Sequence, residues 1–220
     1  MMKCDATWLA ESLARLPNEA LSPILNLGSS TRHFREVEQP HIHEIVFAPL
    51  DARGVAVIHT DIKADDGVDL VCDLMSDEGL AAIQARAPKA LVCTHMLEHV
   101  PDAASMARRM LAAMPAGGLL FVSVPSSYHQ HNDPIDTMFR PSPPELASLF
   151  PGTDVLDARE LEGDYYWIYV RKRPFTLFFR HFFRFWFPFL GFAKWKRSMG
   201  KLYWLFYPYK VSAVALRKRA

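Results

Sequence analysis

The densest chemistry in the sequence lies between Tyr128 and Pro141, a polar stretch holding His129, His131, Asp133, Asp136 and Arg140. A neutral imidazole can take a proton from a hydroxyl, and a carboxylate beside it fixes which ring nitrogen is free to do so. His129 or His131 could therefore act as a general base with Asp136 orienting it. Arg140 could pair a carboxylate or phosphate of a substrate. The competing reading makes Asp136–Arg140 a loop-stabilising ion pair and leaves the histidines exposed. No third ligand stands at metal spacing from His129 and His131, so no metal is expected.

Two further acids end short apolar runs. Asp61 closes the β-branched segment Gly54 to Asp61, and Asp73 sits near the end of Val68 to Leu74. A carboxylate accepts from both hydroxyls of a ribose, which is one role for Asp61; a solvated loop acid is the other. Asp73 could accept from the exocyclic amine of an adenine or favour a helix N-terminus. Upstream, Ile24-Leu25-Asn26-Leu27 turns at Gly28 into Ser29, Ser30 and Thr31. Glycine gives the backbone freedom there, and small side chains let main-chain N–H groups approach a ligand. A lone glycine after a strand can also be no more than a turn.

The elements that must position these residues alternate. Strands are expected at 23–27, 54–61, 68–74, 90–94, 119–124, 165–170 and 211–216. Helices are expected at 7–20, 77–87, 102–114 and 143–150, with 32–53 an irregular linker. That alternation predicts a Rossmann-like, doubly wound α/β fold: a mostly parallel seven-stranded sheet with helices on both faces. Ligands of such sheets bind beyond the carboxyl ends of the strands, where the residues singled out above lie. The 220 residues suit a single domain, 1–220, and half of them are hydrophobic, which excludes a disordered chain. Cys4, Cys72 and Cys93 are few, scattered and odd in number, as in a reduced cytoplasmic protein. No signal peptide is evident near Met1.

Several segments together resemble, in order, the motifs of class I S-adenosylmethionine-dependent methyltransferases. They are Leu25-Asn26-Leu27-Gly28, Asp61, Val68 to Leu74, Met96-Leu97-Glu98-His99-Val100-Pro101-Asp102 and Met114 to Pro125. They are most similar to the type 11-like group that carries a Leu-Glu-His-Val signature. Val211 to Lys218 resembles that family's last strand. The resemblance implies S-adenosylmethionine as cofactor. Gly28, Ser29 and Ser30 would line its methionine and ribose side, with Asn26 beside them. Asp61 would hold the ribose, Asp73 would read the adenine amine with Leu74 against the ring, and His95 and Met96 would flank the sulfonium. The stretch from Tyr128 to Arg140 would border the acceptor. Glu98 and His99 would be structural. The family usually carries an acid where Asn26 stands and a second glycine near Ser30, so a non-catalytic relative is the alternative. The long gap from Gly28 to Asp61 implies an insertion at 33–53.

Charge is unevenly distributed. Residues 1–164 hold all 24 acids against 12 Lys/Arg, whereas 165–220 hold 13 Lys/Arg and no acid. Within 174–209 fall 16 of the 27 aromatic residues. Pro188 divides this segment into two amphipathic stretches, too charged to span a bilayer. It is expected to form a helical insertion before the last strand that lies in the plane of an anionic membrane surface. Packing on the protein itself or on a second subunit, as in a homodimer, is a second reading. Nucleic-acid binding fits less well, because the near-continuous phenylalanine is too apolar for an RNA surface. The expectation is thus a cytoplasmic protein peripheral to the inner face of a membrane. It would O-methylate a sugar, such as a lipid-linked glycan, or another small membrane-borne acceptor. A non-catalytic membrane-bound module and an RNA methyltransferase are the rivals.

Overall fold

The computed structural model describes residues 1–131, 135–187, 189 and 191–220, apart from the side chains of Tyr169, Lys172 and Arg197. Asp133 and Pro188 therefore lie outside the described residues. Seven strands form one sheet: β1 (Ile24–Leu27), β2 (Val57–Asp61), β3 (Leu70–Val71), β4 (Ala90–Thr94), β5 (Leu119–Ser127), β6 (Thr153–Glu162) and β7 (Lys210–Lys218). Their order is β3-β2-β1-β4-β5-β7-β6. The first five run parallel, and β7 is antiparallel to both β5 and β6. Strand order reverses between β1 and β4, which pair with Leu27 opposite Cys93. The segments that leave these two strands therefore emerge side by side, at the edge where this architecture binds ligands.

Period-two alternation along the strands builds two cores. On one face Leu25, Leu27, Leu91, Cys93, Leu120 and Val122 pack with Ile83 of α4 (Asp77–Gln84), Met106 and Met110 of α5 (Ala103–Ala113) and Leu146 of α6 (Pro143–Ser148). On the other, Ile24, Val92, Leu119 and Phe121 pack with Trp8, Leu9 and Leu13 of the N-terminal helix (Lys3–Ala14) and with Ile42, Val46, Phe47 and Leu50. Helices thus cover both faces, as the alternation of elements required. Ser76 and Asp102 cap α4 and α5 by accepting from backbone N–H groups.

Two expectations are corrected. The stretch 32–53 is no irregular linker. It winds as two π-helical turns, Phe34–Glu38 and His43–Phe47, and a short helix, Ala48–Ala52. Its apolar residues belong to the second core. Residues 165–170, rich in aromatic and β-branched side chains, run into a helix, Trp167–Lys172, instead of a strand. The sixth strand is β6 at 153–162, whose mostly exposed, polar sequence carries no strand pattern. An edge strand draws its order from ladder bonds to its neighbour, here β7, so its side chains need not be apolar.

Between β6 and β7 the basic aromatic segment forms α8 (Pro174–Trp186), α9 (Phe192–Gly200) and a 3-10 turn, Lys201–Leu205. Pro174 occupies the first turn of α8, where its missing N–H is not needed. The Tyr166 hydroxyl lies 3.0 Å from His181 Nε2, and Ser198 Oγ lies 2.9 Å from His181 Nδ1. That chain ties α8 and α9 to the residues that precede them. The segment is therefore built onto the sheet at the end where the candidate site lies.

Candidate active site

The turn after β1 is held from three sides. Gly28 has φ +64°, and a Cβ on it would lie 2.8 Å from Met96 Sδ. Glycine is needed both for the backbone angle and for contact with the segment leaving β4. The Ser30 N–H donates to Asp61 Oδ2 at 2.9 Å, and the Ser29 N–H donates to the Thr60 carbonyl. Ser30 itself has φ +54°, the left-handed region that favours glycine. From below, the buried Arg35 donates to the carbonyls of Ser29, Ser30 and Gly67 at 3.0, 2.7 and 2.8 Å. Sequence reasoning missed Arg35, which lies in the stretch taken for a linker. A charged residue there carries no local signal that it turns inward.

Asn26 is buried, and its Nδ2 lies 3.0 Å from His59 Nδ1, its register partner on β2. Burial, then the nearby Arg35, pushes His59 down to about 4. The ring is therefore neutral at pH 7, and its nitrogen can accept from an amide that an aspartate in the same place could not supply. Asp61 also accepts from the Lys63 N–H. Asp73 is exposed and accepts from the Met75 N–H at the entry to α4, while Leu74 is buried beside it. Gly28, Ser29, Ser30, Asp61 and Met96 are thus in one constellation. Asp73 and Leu74 line the neighbouring turn.

Beyond β4 a second chain of polar groups is buried. His95, at φ +50°, sets Nε2 3.1 Å from Asp5 Oδ2 and Nδ1 3.6 Å from Glu98 Oε1. Asp5 is fully buried and accepts from Ser123 Oγ and the Met2 N–H. Burial alone would raise its pKa. The His95 imidazole and the Ser123 hydroxyl outweigh that and hold it below the usual carboxylate range. The sequence analysis did not single out Asp5. Glu98 is also fully buried, and among the described residues neither of its carboxylate oxygens finds a hydrogen-bond donor.

The turn at Leu97–His99 pins the loop that follows β5. Thr137 donates its N–H and its hydroxyl to the Glu98 carbonyl, and His99 Nδ1 donates to the Ile135 carbonyl. On this loop Asp136 Oδ2 lies 3.0 Å from His131 Nδ1 and accepts from an Arg140 guanidinium nitrogen at 2.6 Å. One carboxylate thus lies against both the imidazole and the guanidinium, and neither His129 nor His131 is exposed as the ion-pair reading required. Burial would raise the Asp136 pKa; Arg140 and the backbone N–H groups of Met138 and His131 hold it low. Burial pushes His131 down, against the pull of Asp136.

His129 is placed differently. It stacks on Tyr128 with ring centroids 4.4 Å apart, and its Nδ1 lies 3.3 Å from the Tyr209 hydroxyl. Burial, then Lys201, pushes it down to about 3. Trp204 donates to Ser127 Oγ, so the aromatic segment walls this side of the site. The fold also brings Glu98 and His99 next to His131, which spacing alone did not suggest. Each offers one ligand atom, all within 4.8 Å of one another, so the three could hold a divalent cation.

A family profile described as a methyltransferase domain matches residues 6–162. Over 69 residues the chain is 39% identical to the ubiquinone biosynthesis O-methyltransferase of Xanthomonas axonopodis pv. citri (strain 306), a match covering 31% of this chain and 28% of that one. The chain thus spans little more than a quarter of that curated relative's length. Among solved structures, coclaurine N-methyltransferase bound to N-methylheliamine and SAH is similar, with a TM-score of 0.56 at 15% identity over 97% of this chain and 69% of that one. The cyclase SpnF is similar with a TM-score of 0.51 at 16% identity over 97% and 81%. At such identities these two likenesses speak for the fold alone.

Proposed function

The chain belongs to the methyltransferase-domain family, and on that premise we propose that it is an S-adenosylmethionine-dependent O-methyltransferase acting on a small, membrane-borne acceptor such as a lipid-linked sugar. The observation that carries this reading is the presence of two constellations at the same end of the sheet. One is the Gly28–Ser30 turn with Asp61 and Met96; the other is His131 on Asp136. The turn fits a closely bound cofactor, since Gly28 packs on Met96 without a side chain of its own and the turn's backbone is fixed by Asp61 and Arg35.

When bound, S-adenosylmethionine supplies a methyl group already activated by its sulfonium. The chain's own residues then have four tasks. Asp61 holds the ribose hydroxyls, and Asp73 and Leu74 hold the adenine. Gly28, Ser29 and Ser30 accommodate the methionine and ribose side, with Asn26, His95 and Met96 around them. His131, whose Nδ1 lies 3.0 Å from Asp136 Oδ2, takes the acceptor's hydroxyl proton at Nε2. Tyr128 and His129 form the acceptor wall. His129, pushed down to about 3, is too weak a base for this task at neutral pH. The charge of Arg140 is engaged by Asp136, so its part here is to position that carboxylate.

The membrane part of the reading rests on α8. Phe175, Phe178, Phe179, Phe182, Phe183, Phe185 and Trp186 are all exposed on it. Among the described residues no helix is long and apolar enough to cross a membrane. An in-plane helix at an anionic surface accounts for both facts and for the lack of acids after Asp164. The proposal takes residues 1–220 as one domain with 174–209 inserted in it, because Tyr209 is buried and Trp204 bonds Ser127. Calorimetric titration with S-adenosylmethionine and its demethylated product tests the reading. Micromolar binding of both supports it. No binding at millimolar cofactor would leave a non-catalytic membrane-bound module.

A further inference from the structure

A cavity of about 370 Å³ opens between the loop after β5 and the start of α8. Tyr128, His129 and Tyr166 form its aromatic side, and Arg173, Arg180 and Lys201 its cationic side. No carboxylate is among its described lining residues. Among the described residues, neither Arg173 nor Arg180 has a carboxylate at ion-pairing distance, unlike Arg140 on Asp136 or Lys210 on Glu160. Arg173 immediately precedes α8, and Leu177 of its first turn also lines the cavity. The electropositive end of a thirteen-residue helix therefore adds to the three side chains.

We propose that this cavity binds the phosphate or diphosphate group of the acceptor, which makes the acceptor a phosphorylated amphiphile. Planar guanidinium groups match phosphate oxygens in pairs, and the lysine adds a point charge. The volume suits one or two phosphoryl groups with part of what they carry. Two neighbours define the rest of the ligand. On one side the first turns of α8 expose Phe175, Phe178 and Phe179, a surface for an apolar chain. On the other, the Tyr128 ring meets His131 edge-on at 5.6 Å, so a group bound to the phosphate can extend to the candidate base. The inference rests on the methyl-transfer reading for the word acceptor; the anion site itself does not.

The test is calorimetric titration of the full chain with farnesyl diphosphate, inorganic diphosphate and uncharged farnesol, each with and without the demethylated cofactor. Farnesyl diphosphate should bind at least about tenfold more tightly than farnesol. The double variant Arg173→Gln/Arg180→Gln should weaken diphosphate binding by at least about tenfold, while Arg173→Lys/Arg180→Lys retains most of it. Farnesyl diphosphate binding well above inorganic diphosphate supports a lipid-borne source. Equal binding of the two overturns the amphiphile and leaves a water-soluble phosphorylated acceptor. Equal affinity of wild type and the glutamine variant, or no diphosphate binding in a wild type that binds cofactor, overturns the site. Diphosphate binding without cofactor binding instead overturns the methyl-transfer reading alone. Unchanged cofactor affinity in the glutamine variant reports that it is folded.

Discussion

The backbone N–H of Ser30 donates to Asp61 Oδ2 at 2.9 Å, which locks the turn after β1 to the acid at the end of β2. The same carboxylate is the candidate partner of the ribose hydroxyls. Asp61→Ala removes both roles, and two charge-assisted hydrogen bonds amount to ~3 kcal/mol or more. Calorimetry should show cofactor affinity falling by roughly a hundredfold. Affinity within a factor of two of wild type would sink the assignment of Asp61.

Arg35 supports that turn from the other side through three carbonyls. Arg35→Met keeps the length of the stem and removes every donor, leaving buried acceptors unpaired. We expect a loss of ~2–4 kcal/mol in chemical denaturation, with weaker cofactor binding in the fraction that folds. A fully stable variant with normal affinity would show that the turn holds itself.

His131→Ala should lower kcat by roughly 10²–10⁴ while cofactor affinity stays within about threefold, the signature of a lost proton acceptor. Asp136→Asn should cost more in stability, because it leaves the largely buried Arg140 without its counter-charge. The pH profile adds an independent check. Burial lowers the His131 pKa from its ordinary 6.5, and the ring must be unprotonated to act. Activity should therefore be flat at neutral pH and decline on an acid limb whose midpoint lies below 6.5. A midpoint above neutrality would exclude His131 as this base.

Deleting 174–209 is a poor probe of membrane binding, because Tyr209 is in the core and Trp204 bonds Ser127. Phe178→Ser/Phe182→Ser/Phe185→Ser alters only exposed rings. Co-sedimentation with anionic vesicles should fall at least about tenfold, given ~1.5–3 kcal/mol per buried phenylalanine. Cofactor affinity should not move. Undiminished sedimentation would locate membrane contact elsewhere or nowhere.

His59 gives the fold an acid-sensitive point. Its folded-state pKa, about 4, lies below the ordinary 6.5, so the unfolded chain binds the proton first. The contribution is fully present above pH 6.5 and is lost as pH falls toward 4, by ~3 kcal/mol at most. Thermal melts should drop across that window and be flatter for His59→Gln. A residual slope from His129, also depressed, is expected in the variant. Identical slopes would mean that His59 is solvated in the folded chain.

The pattern of the parallel strands and the polar residues at their ends are legible in the order of the amino acids alone. Period-two apolar runs, a glycine after the first of them and acids after the next two are local features that survive any packing. So is the aromatic, basic and acid-free character of 174–209. Which of these groups meet is set by packing. Spacing left His129 and His131 equivalent; packing buried one against Tyr128 and Tyr209 and set the other on Asp136. Asp5 and Arg35 carry no local mark of importance, because each acquires its role from groups that the fold brings to it, as Asp5 does from His95 and Ser123. The exchange of 165–170 for 153–162 as the sixth strand has the same cause. Ladder bonds to β7 order an edge strand whatever its side chains, and local propensity does not report them.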